Sequence, residues 1–486
     1  MADRPNIILI MTDQQRADSI NAMGAPWMKT PNLDRLVREG TAFSKCFVNS
    51  PVCVGARSSL FMGKFPHGTG IFTNFQPWEP TWVTSLAEVG YHCASIGKMH
   101  INPYDRLGGF HQRFPVENKD RPLFLDEHDR AFYDEWDKAL KVRRLTKPSR
   151  YLRIAEDPEG YREAVGCFPW ELDEDMHSDM FIGDTALWWL EDRKADSPLF
   201  LQIGFPGPHP PYDPIPRYLD LYDKADIPVP TVTEDEIARQ PRAHGVYRQN
   251  LIDNNFDSVA WRHDVTTDEI LRIRRHYGAN VTMTDEKVGQ IMEMLRAKGY
   301  LDDAIVIFTS DHADALGDHG HIQKWTMYDT VATVPLIFWA PGRVRAGEKS
   351  DSLVQLTDIA PTILSFAGVP VPADFEATNL RPKLDGEISP DEVVYSELGR
   401  DHIQSGAEYI VMRRDRDWKL VYYQGEPDGE LYDLNADPDE TRNLWTDPDY
   451  GEKRDFLRRQ VQDWIIANMR RAHMPSGRKP QPPLKL

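Results

Sequence analysis

The chain has 486 residues, 41% hydrophobic and 27% charged, with 31 Gly and 37 Pro. That is the composition of a soluble globular protein rather than a fibrous or disordered one. A formal charge of −19, from 57 Lys and Arg against 76 Asp and Glu, excludes nucleic-acid binding through clustered cations, and no apolar run reaches the roughly 18 residues of a membrane span.

The first element is Asn6–Met11, short, apolar and rich in Ile, which stops at Thr12-Asp13-Gln14 as a buried parallel strand does at its carboxyl end. Ligands of open α/β sheets bind at that end. Thr30–Gly40 reads as a helix, with Thr30 as its cap, Pro31 in the first turn, apolar residues at helical spacing and a terminating glycine. The four cysteines, Cys46, Cys53, Cys93 and Cys167, are too sparse for a disulfide scaffold and point to a reducing, cytoplasmic setting. A helix over 84–89 with a strand over 91–96, and an amphipathic helix over 176–190 with a strand over 199–203, repeat the βα rhythm.

Residues 101–172 and 213–262 are rich in Pro and charge and poor in periodicity, and read as insertions that wall a site. Helical periodicity returns over 267–297, then a strand over 304–309 ends at Ser310-Asp311-His312. A further buried strand over 334–339 carries Pro335, which implies an edge position or a strand start. Trp188, Trp189 and Met292–Met294 read as core, and Trp78, Trp82, Tyr104, Phe110, Trp136 and Trp170 as packing rather than the wall of an aromatic pocket.

Beyond residue 385 the alternating segments 392–396, 409–412 and 418–423 predict a small antiparallel sheet. A closing helix puts Leu457, Val461, Trp464 and Ile465 on one face, and the basic, Pro-rich tail from Arg470 is either disordered or an arm that joins a homodimer or tetramer. The expected fold is α/β: a large, mostly parallel central sheet flanked by helices over 1–385, and a C-terminal subdomain over 386–486.

Two strand ends deliver acids to one edge, so Asp13, Asp311 and His312 are candidate ligands for one hard divalent cation. The second chemical feature is Ser50–Gly63, a polar turn entering a helix, with Cys53 at its start and Arg57 one turn on. Free amides, the helix dipole and a fixed cation there favour an anion.

These segments resemble the sulfatase family of the alkaline phosphatase superfamily. The resemblance runs through Asn6–Gln14, Thr30–Leu36, Cys53 with Arg57, Gly97-Lys98-Met99-His100, Pro208–Tyr212, Thr309–His312 and Leu316–Gly320 with Lys324, and closes with Glu430–Leu434, Asp437-Pro438 and Asn443-Leu444. It implies an alkaline-phosphatase-like fold and conversion of Cys53 to formylglycine by a formylglycine-generating enzyme. It further implies that Asp13, Gln14, Asp311, His312 and the modified Cys53 bind one cation, Ca²⁺ or Mn²⁺ ahead of Mg²⁺ or Zn²⁺. Arg57 would hold the nucleophile, Lys98 and Lys324 the oxygens of a small anionic ester, and Asn74 would touch the same ester. His209 would protonate the leaving oxygen, and His100 would take a proton from the second hydroxyl of the hydrate to expel sulfate.

Two positions depart from the family pattern: Gly55, where Pro or Ala is usual, and Gln14, where many sulfatases have Asp. Gln14 with His312 is also the pattern of phosphonate monoester hydrolases, whereas those enzymes have hydroxyl-bearing residues in place of the Lys98 and His100 pair. A sulfate monoester hydrolase is therefore the expected activity, with a phosphonate monoester hydrolase or phosphodiesterase as the alternative. An inactive, anion-binding member of the family is a third reading. His319 and His321 read as structural or as supports behind the site residues.

Overall fold

The computed structural model describes residues 4–473 except 75, 79, 118, 120–132, 195, 390 and 400–405, so the tail beyond His473 lies outside the described residues. A nine-stranded sheet forms the centre, in the order β4-β3-β5-β1-β6-β7-β2-β8, with β9 also paired to β2. Its strands are β1 (Asn6–Asp13), β2 (Thr41–Phe47), β3 (His92–Gly97), β4 (Gln112–Pro115), β5 (Leu199–Pro208), β6 (Ala304–Ser310), β7 (Thr333–Trp339), β8 (Glu348–Ser350) and β9 (Val354–Gln355). Neighbours pair in parallel except at β7, which runs against both β6 and β2.

Strand alternation divides the core. Ile8 and Ile10 of β1 join one apolar cluster, while Ile7, Leu9 and Met11 join the other on the opposite face. β6 does the same, with Val306 and Phe308 against Ile305 and Ile307. A strand buried on both faces has to be apolar throughout, which is why these runs read as continuous rather than alternating.

Helices cover both faces: α1 (Pro31–Glu39), α2 (Cys53–Met62), α3 (Ser178–Glu191) and α4 (Thr267–Ala297) are the main ones near the site. Thr30 precedes α1, but its hydroxyl makes no capping bond and donates instead to Asp34 Oδ1 at 3.1 Å. The free amides of α1 are taken by Asp285 of α4, whose oxygens accept from Leu33 N at 2.7 Å and Asn32 N at 3.2 Å. Pro335 lies in the third residue of an interior strand, opposite a bulge between Phe43 and Cys46 of β2. The bulge removes the partner that proline cannot serve.

Three other expectations are revised. β5 extends to Pro208, well past residue 203, because it continues beside β1 through a register shift that pairs Asp13 with Pro208. Trp188 is 54% exposed and meets Phe114 edge-on at 5.9 Å, so only Trp189 of that pair is core. Residues 101–172 are not wholly an insertion, since they supply β4 at the edge of the sheet beside β3, and the two stretches also hold helices at Glu135–Val142, Arg150–Glu156, Pro158–Ala164 and Arg242–Asn254.

The second sheet is antiparallel, in the order β10-β11-β12-β13 (Val394–Gly399, Tyr409–Arg414, Trp418–Tyr423, Glu430–Asp433). The helix α5 (Gly451–His473) packs Leu457 and Val461 onto Val411, Leu420 and Leu431 of that sheet. The four cysteines are free and buried, and no described helix is long and apolar enough to cross a membrane.

Candidate active site

The carboxyl ends of β1, β6, β5 and β3 lie side by side, and each hands one or more polar residues to the same place. Thr12 pairs with Ser310, which sets Asp13 beside Asp311. Gly97 of β3 pairs with Gly204 of β5. A Cβ at either glycine would come within 2.1 Å of a carbonyl oxygen across the gap, so this close approach requires Gly. It lets the chain turn sharply and carry Lys98 and His100 toward Asp13.

Asp13, Cys53, Asp311 and His312 are all buried, and one ligand atom from each lies within 4.8 Å of the others. His312 donates from Nδ1 to the Ala313 carbonyl at 3.1 Å, which leaves Nε2 bare. That atom is 3.1 Å from Cys53 Sγ, 3.7 Å from Asp311 Oδ1 and 3.8 Å from Asp13 Oδ1. A histidine fixed from behind, with its free nitrogen among carboxylates, is the arrangement of a metal ligand.

Gln14 lies beside the group, its backbone amide donating to Asp311 Oδ1 at 3.0 Å. Its Nε2 donates to Asp314 Oδ2 at 2.6 Å, and its Oε1 is buried with no hydrogen-bond partner. A buried acceptor without a donor is costly, and a cation held among these oxygens and one imidazole removes that cost. The residues therefore fit a hard divalent ion.

Arg57 is fully buried one turn into α2. Its Nε donates to Asp311 Oδ2 at 2.7 Å, Nη1 to the Lys98 carbonyl at 2.9 Å, and Nη2 to the Thr12 carbonyl at 3.2 Å and Asp13 Oδ2 at 3.3 Å. One guanidinium thus ties three strand ends together. Gly55 has a local cause as well: a Cβ there would lie 2.6 Å from Ser50 Oγ. A larger residue there would require the Ser50 side chain to shift.

Lys98 Nζ is 2.7 Å from Asp13 Oδ2. Lys324 Nζ donates to Cys53 Sγ at 3.3 Å and to His209 Nε2 at 2.9 Å. His209 Nδ1 donates to the Pro210 carbonyl at 2.6 Å, so its other nitrogen is the acceptor. His100 has a left-handed backbone at φ 69°, and Glu117 Oε2 accepts from its amide at 2.8 Å and lies 3.5 Å from its Nδ1.

The electrostatics follow from burial and from this crowd of charges. Burial opposes ionisation of Asp13, yet Lys98, His209, Arg57 and His312 hold its carboxyl well below the usual range. Burial pushes the Cys53 thiol up to about 12, with Asp13 adding to the effect. His100 and His209 are both lowered, first by burial and next by the adjacent lysines, Lys98 for His100 and Lys324 for His209. Both imidazoles are neutral in this state.

Asn74 is the one expected residue that stands apart. Gln76 Oε1 accepts from Phe72 N and Thr73 N at 2.8 Å, a turn that leaves Asn74 exposed, and no described contact links it to the group. His319 stacks on Tyr328 and His321 lies 3.1 Å from Arg248, away from the catalytic cluster. Three acids were missed: Glu117 behind His100, Asp314 behind Gln14, and Asp257, which pairs with Lys324 at 3.3 Å and lies 3.5 Å from His209 Nε2. Glu117 and Asp257 sit in the aperiodic stretches, where spacing carries no signal.

The sequence matches a family model described as Sulfatase over residues 5–369, and one described as N-sulphoglucosamine sulphohydrolase, C-terminal, over residues 317–466. An arylsulfatase of Clostridium perfringens is 28% identical over 477 residues, covering 94% of this chain and 93% of its own. A choline-sulfatase of Rhizobium meliloti is 30% identical over 457 residues, covering 92% and 83%. Among solved structures, a phosphonate monoester hydrolase of Agrobacterium radiobacter superposes with a TM-score of 0.77 at 26% identity, covering 96% of each chain.

Proposed function

Because the chain belongs to the sulfatase family, we propose that it hydrolyses a sulfate monoester of a phenol or alcohol, with residue 53, converted from cysteine to formylglycine, as the nucleophile. The observation that carries this reading is the convergence of Lys98, Lys324 and Arg57 on the buried group of Asp13, Cys53, Asp311 and His312. Three fixed, largely buried cations are suited to an anion whose charge shifts onto its oxygens as it reacts.

Asp13, Gln14, Asp311, His312 and residue 53 would hold one divalent cation, Ca²⁺ or Mn²⁺ ahead of Mg²⁺ or Zn²⁺, which supplies Lewis-acid stabilisation of the ester oxygens. Lys98 and Lys324 grip those oxygens, and Arg57 fixes residue 53 from the next turn. Attack on sulfur breaks the bond to the alcohol oxygen, and His209, protonated at Nε2 once the bound anion draws the Lys324 ammonium away from that nitrogen, gives its proton to that oxygen. His100, neutral and backed by Glu117, then takes the proton from the remaining hydroxyl on residue 53, which releases sulfate and restores the aldehyde. The unpaired Cys46, Cys93 and Cys167 support a reducing, cytoplasmic location.

A second reading, a phosphonate monoester hydrolase or phosphodiesterase, draws on Gln14 with His312 and on the Agrobacterium radiobacter structure. Steady-state kcat/KM for an aryl sulfate, an aryl phenylphosphonate and a phosphodiester separates the two. The sulfate ester is expected to give the highest value; if it gives the lowest, the primary reading is wrong. Mass spectrometry of the peptide holding residue 53 is expected to show formylglycine, and an unmodified thiol in protein that turns over no ester would instead indicate an anion-binding relative.

A further inference from the structure

Asp257 is contributed by a segment that lies between two helices and belongs to no strand of the sheet. Its carboxylate is 3.3 Å from Lys324 Nζ and 3.5 Å from His209 Nε2, while those two nitrogens are 2.9 Å from each other. One carboxylate therefore spans both groups that the proposed function assigns to the departing oxygen. The side chain is 32% exposed, so it closes the outer side of the pair rather than filling a core.

The loop is built to keep it there. Asn255, Asp257 and Ser258 all have left-handed backbones, at φ 48°, 54° and 67°. Non-glycine residues in that region are strained and persist only where the surroundings over-determine them. Here Arg150 Nη1 donates to the Asn255 carbonyl at 3.0 Å, and Gln323 Nε2 donates to the Phe256 carbonyl at 3.0 Å. Gln323, itself left-handed at φ 64°, precedes Lys324 and so stitches the loop to the segment that carries the lysine. A hydrogen bond between neutral groups would be enough to anchor a loop. A carboxylate set against the lysine also pairs with its charge, and so holds the ammonium in place against the imidazole nitrogen that accepts from it.

We propose that Asp257 is a positioning residue for leaving-group departure, holding Lys324 and His209 in one arrangement toward the oxygen that leaves; this rests on the ester-hydrolase reading above. The test is kcat/KM of wild type, Asp257→Asn and Asp257→Glu on a series of aryl sulfates running from nitrophenol to unactivated phenol leaving groups. Asn tolerates the left-handed backbone, so Asp257→Asn keeps the loop. A group that assists proton delivery matters most when the departing oxygen is basic. Asp257→Asn is expected to lose about tenfold on the nitrophenyl ester and on the order of 10²–10³-fold on the phenyl ester, with Asp257→Glu recovering part of the loss. In a His209→Gln background the added Asp257→Asn change should no longer alter the slope. An equal loss across the series, or full additivity with His209→Gln, would overturn the proposal.

If wild type turns over neither sulfate nor phosphonate esters, the hydrolase reading fails while the geometric claim remains testable. In ¹⁵N-histidine-labelled protein, Asp257→Asn should displace the His209 Nε2 resonance, assigned by its loss in His209→Gln; an unmoved resonance rejects the role of Asp257.

Discussion

Asp314 takes four hydrogen bonds: Oδ2 accepts from Gln14 Nε2 at 2.6 Å and Tyr212 Oη at 2.8 Å, and Oδ1 from the amides of Leu316 and Gln323 at 3.0 and 2.8 Å. It thereby decides which end of the Gln14 amide faces the proposed cation. Replacing it with Asn should cost about 10–100-fold in cation affinity, measured by calorimetric titration of the stripped protein; an unchanged affinity would remove Gln14 from the ligand set. Asp311→Ala should lose both bound metal, read by elemental analysis, and turnover. The same change leaves Arg57 with one fewer carboxylate in a fully buried site, so a lowered melting temperature should accompany it. Asp13, Asp311 and Cys53 were legible in the sequence because each stands where an apolar run or a helix begins or stops. Asp314, Glu117 and Asp257 were not, since their roles depend on what lies behind a ligand; Gln14, Lys98, His100, His209, Lys324 and Asn74 were named from resemblance, and of these Asn74 stands apart from the group.

At the scale of elements, the α1 cap shows how far a local signal can mislead. Thr30 followed by Pro31 has the pattern of a helix start, and the helix is there, but its amides are served by an acid about 250 positions away in the sequence. Asp285 Oδ2 also accepts from Asn32 Nδ2 at 2.9 Å, so Asp285→Ala removes the partner of two amides and a side chain at once. It should lower stability by about 1–2 kcal/mol or more, whereas Thr30→Ala should cost less; urea denaturation of both variants checks the order. Strand boundaries were legible to within a residue or two where both faces are buried, as in β1 and β6. β5 was cut short because Pro206 and Pro208 look like terminators, although its last residues still run beside Asp13. Trp188 looked like core because its neighbour Trp189 is, yet adjacent helical residues point to different faces.

At the scale of the molecule, His67 helps to join the two sheets. Its Nδ1 lies 2.5 Å from Glu397 of β10 and its Nε2 3.6 Å from Glu376, and Trp464 of α5 stands edge-on to the ring at 5.3 Å. Burial would lower this imidazole, but the bonds to Glu376 and Glu397 raise it from 6.5 to about 9. A folded value above the unfolded one means that the stabilisation is complete below about pH 6.5 and is lost as pH rises through about 9. The effect is on the order of 2–3 kcal/mol. Chemical denaturation between pH 6.5 and 9.5 should show stability falling in wild type and a flatter profile in His67→Gln; equal slopes would show that His67 does not carry the charge. The docking of the small sheet was not visible in the sequence, because a histidine after Pro66 announces neither of its glutamate partners.

The helix that begins at Cys53 is buried along its whole length, with Val54, Ala56, Leu60 and Phe61 packed into the core beneath the sheet. No second protein can grasp residue 53 and its flanks without dismantling that core. Any enzyme that alters this side chain must therefore reach it before the sheet closes over it. The chemistry of the finished site is then settled during biogenesis, and a chain that folds too early is committed to its thiol for as long as it stays folded.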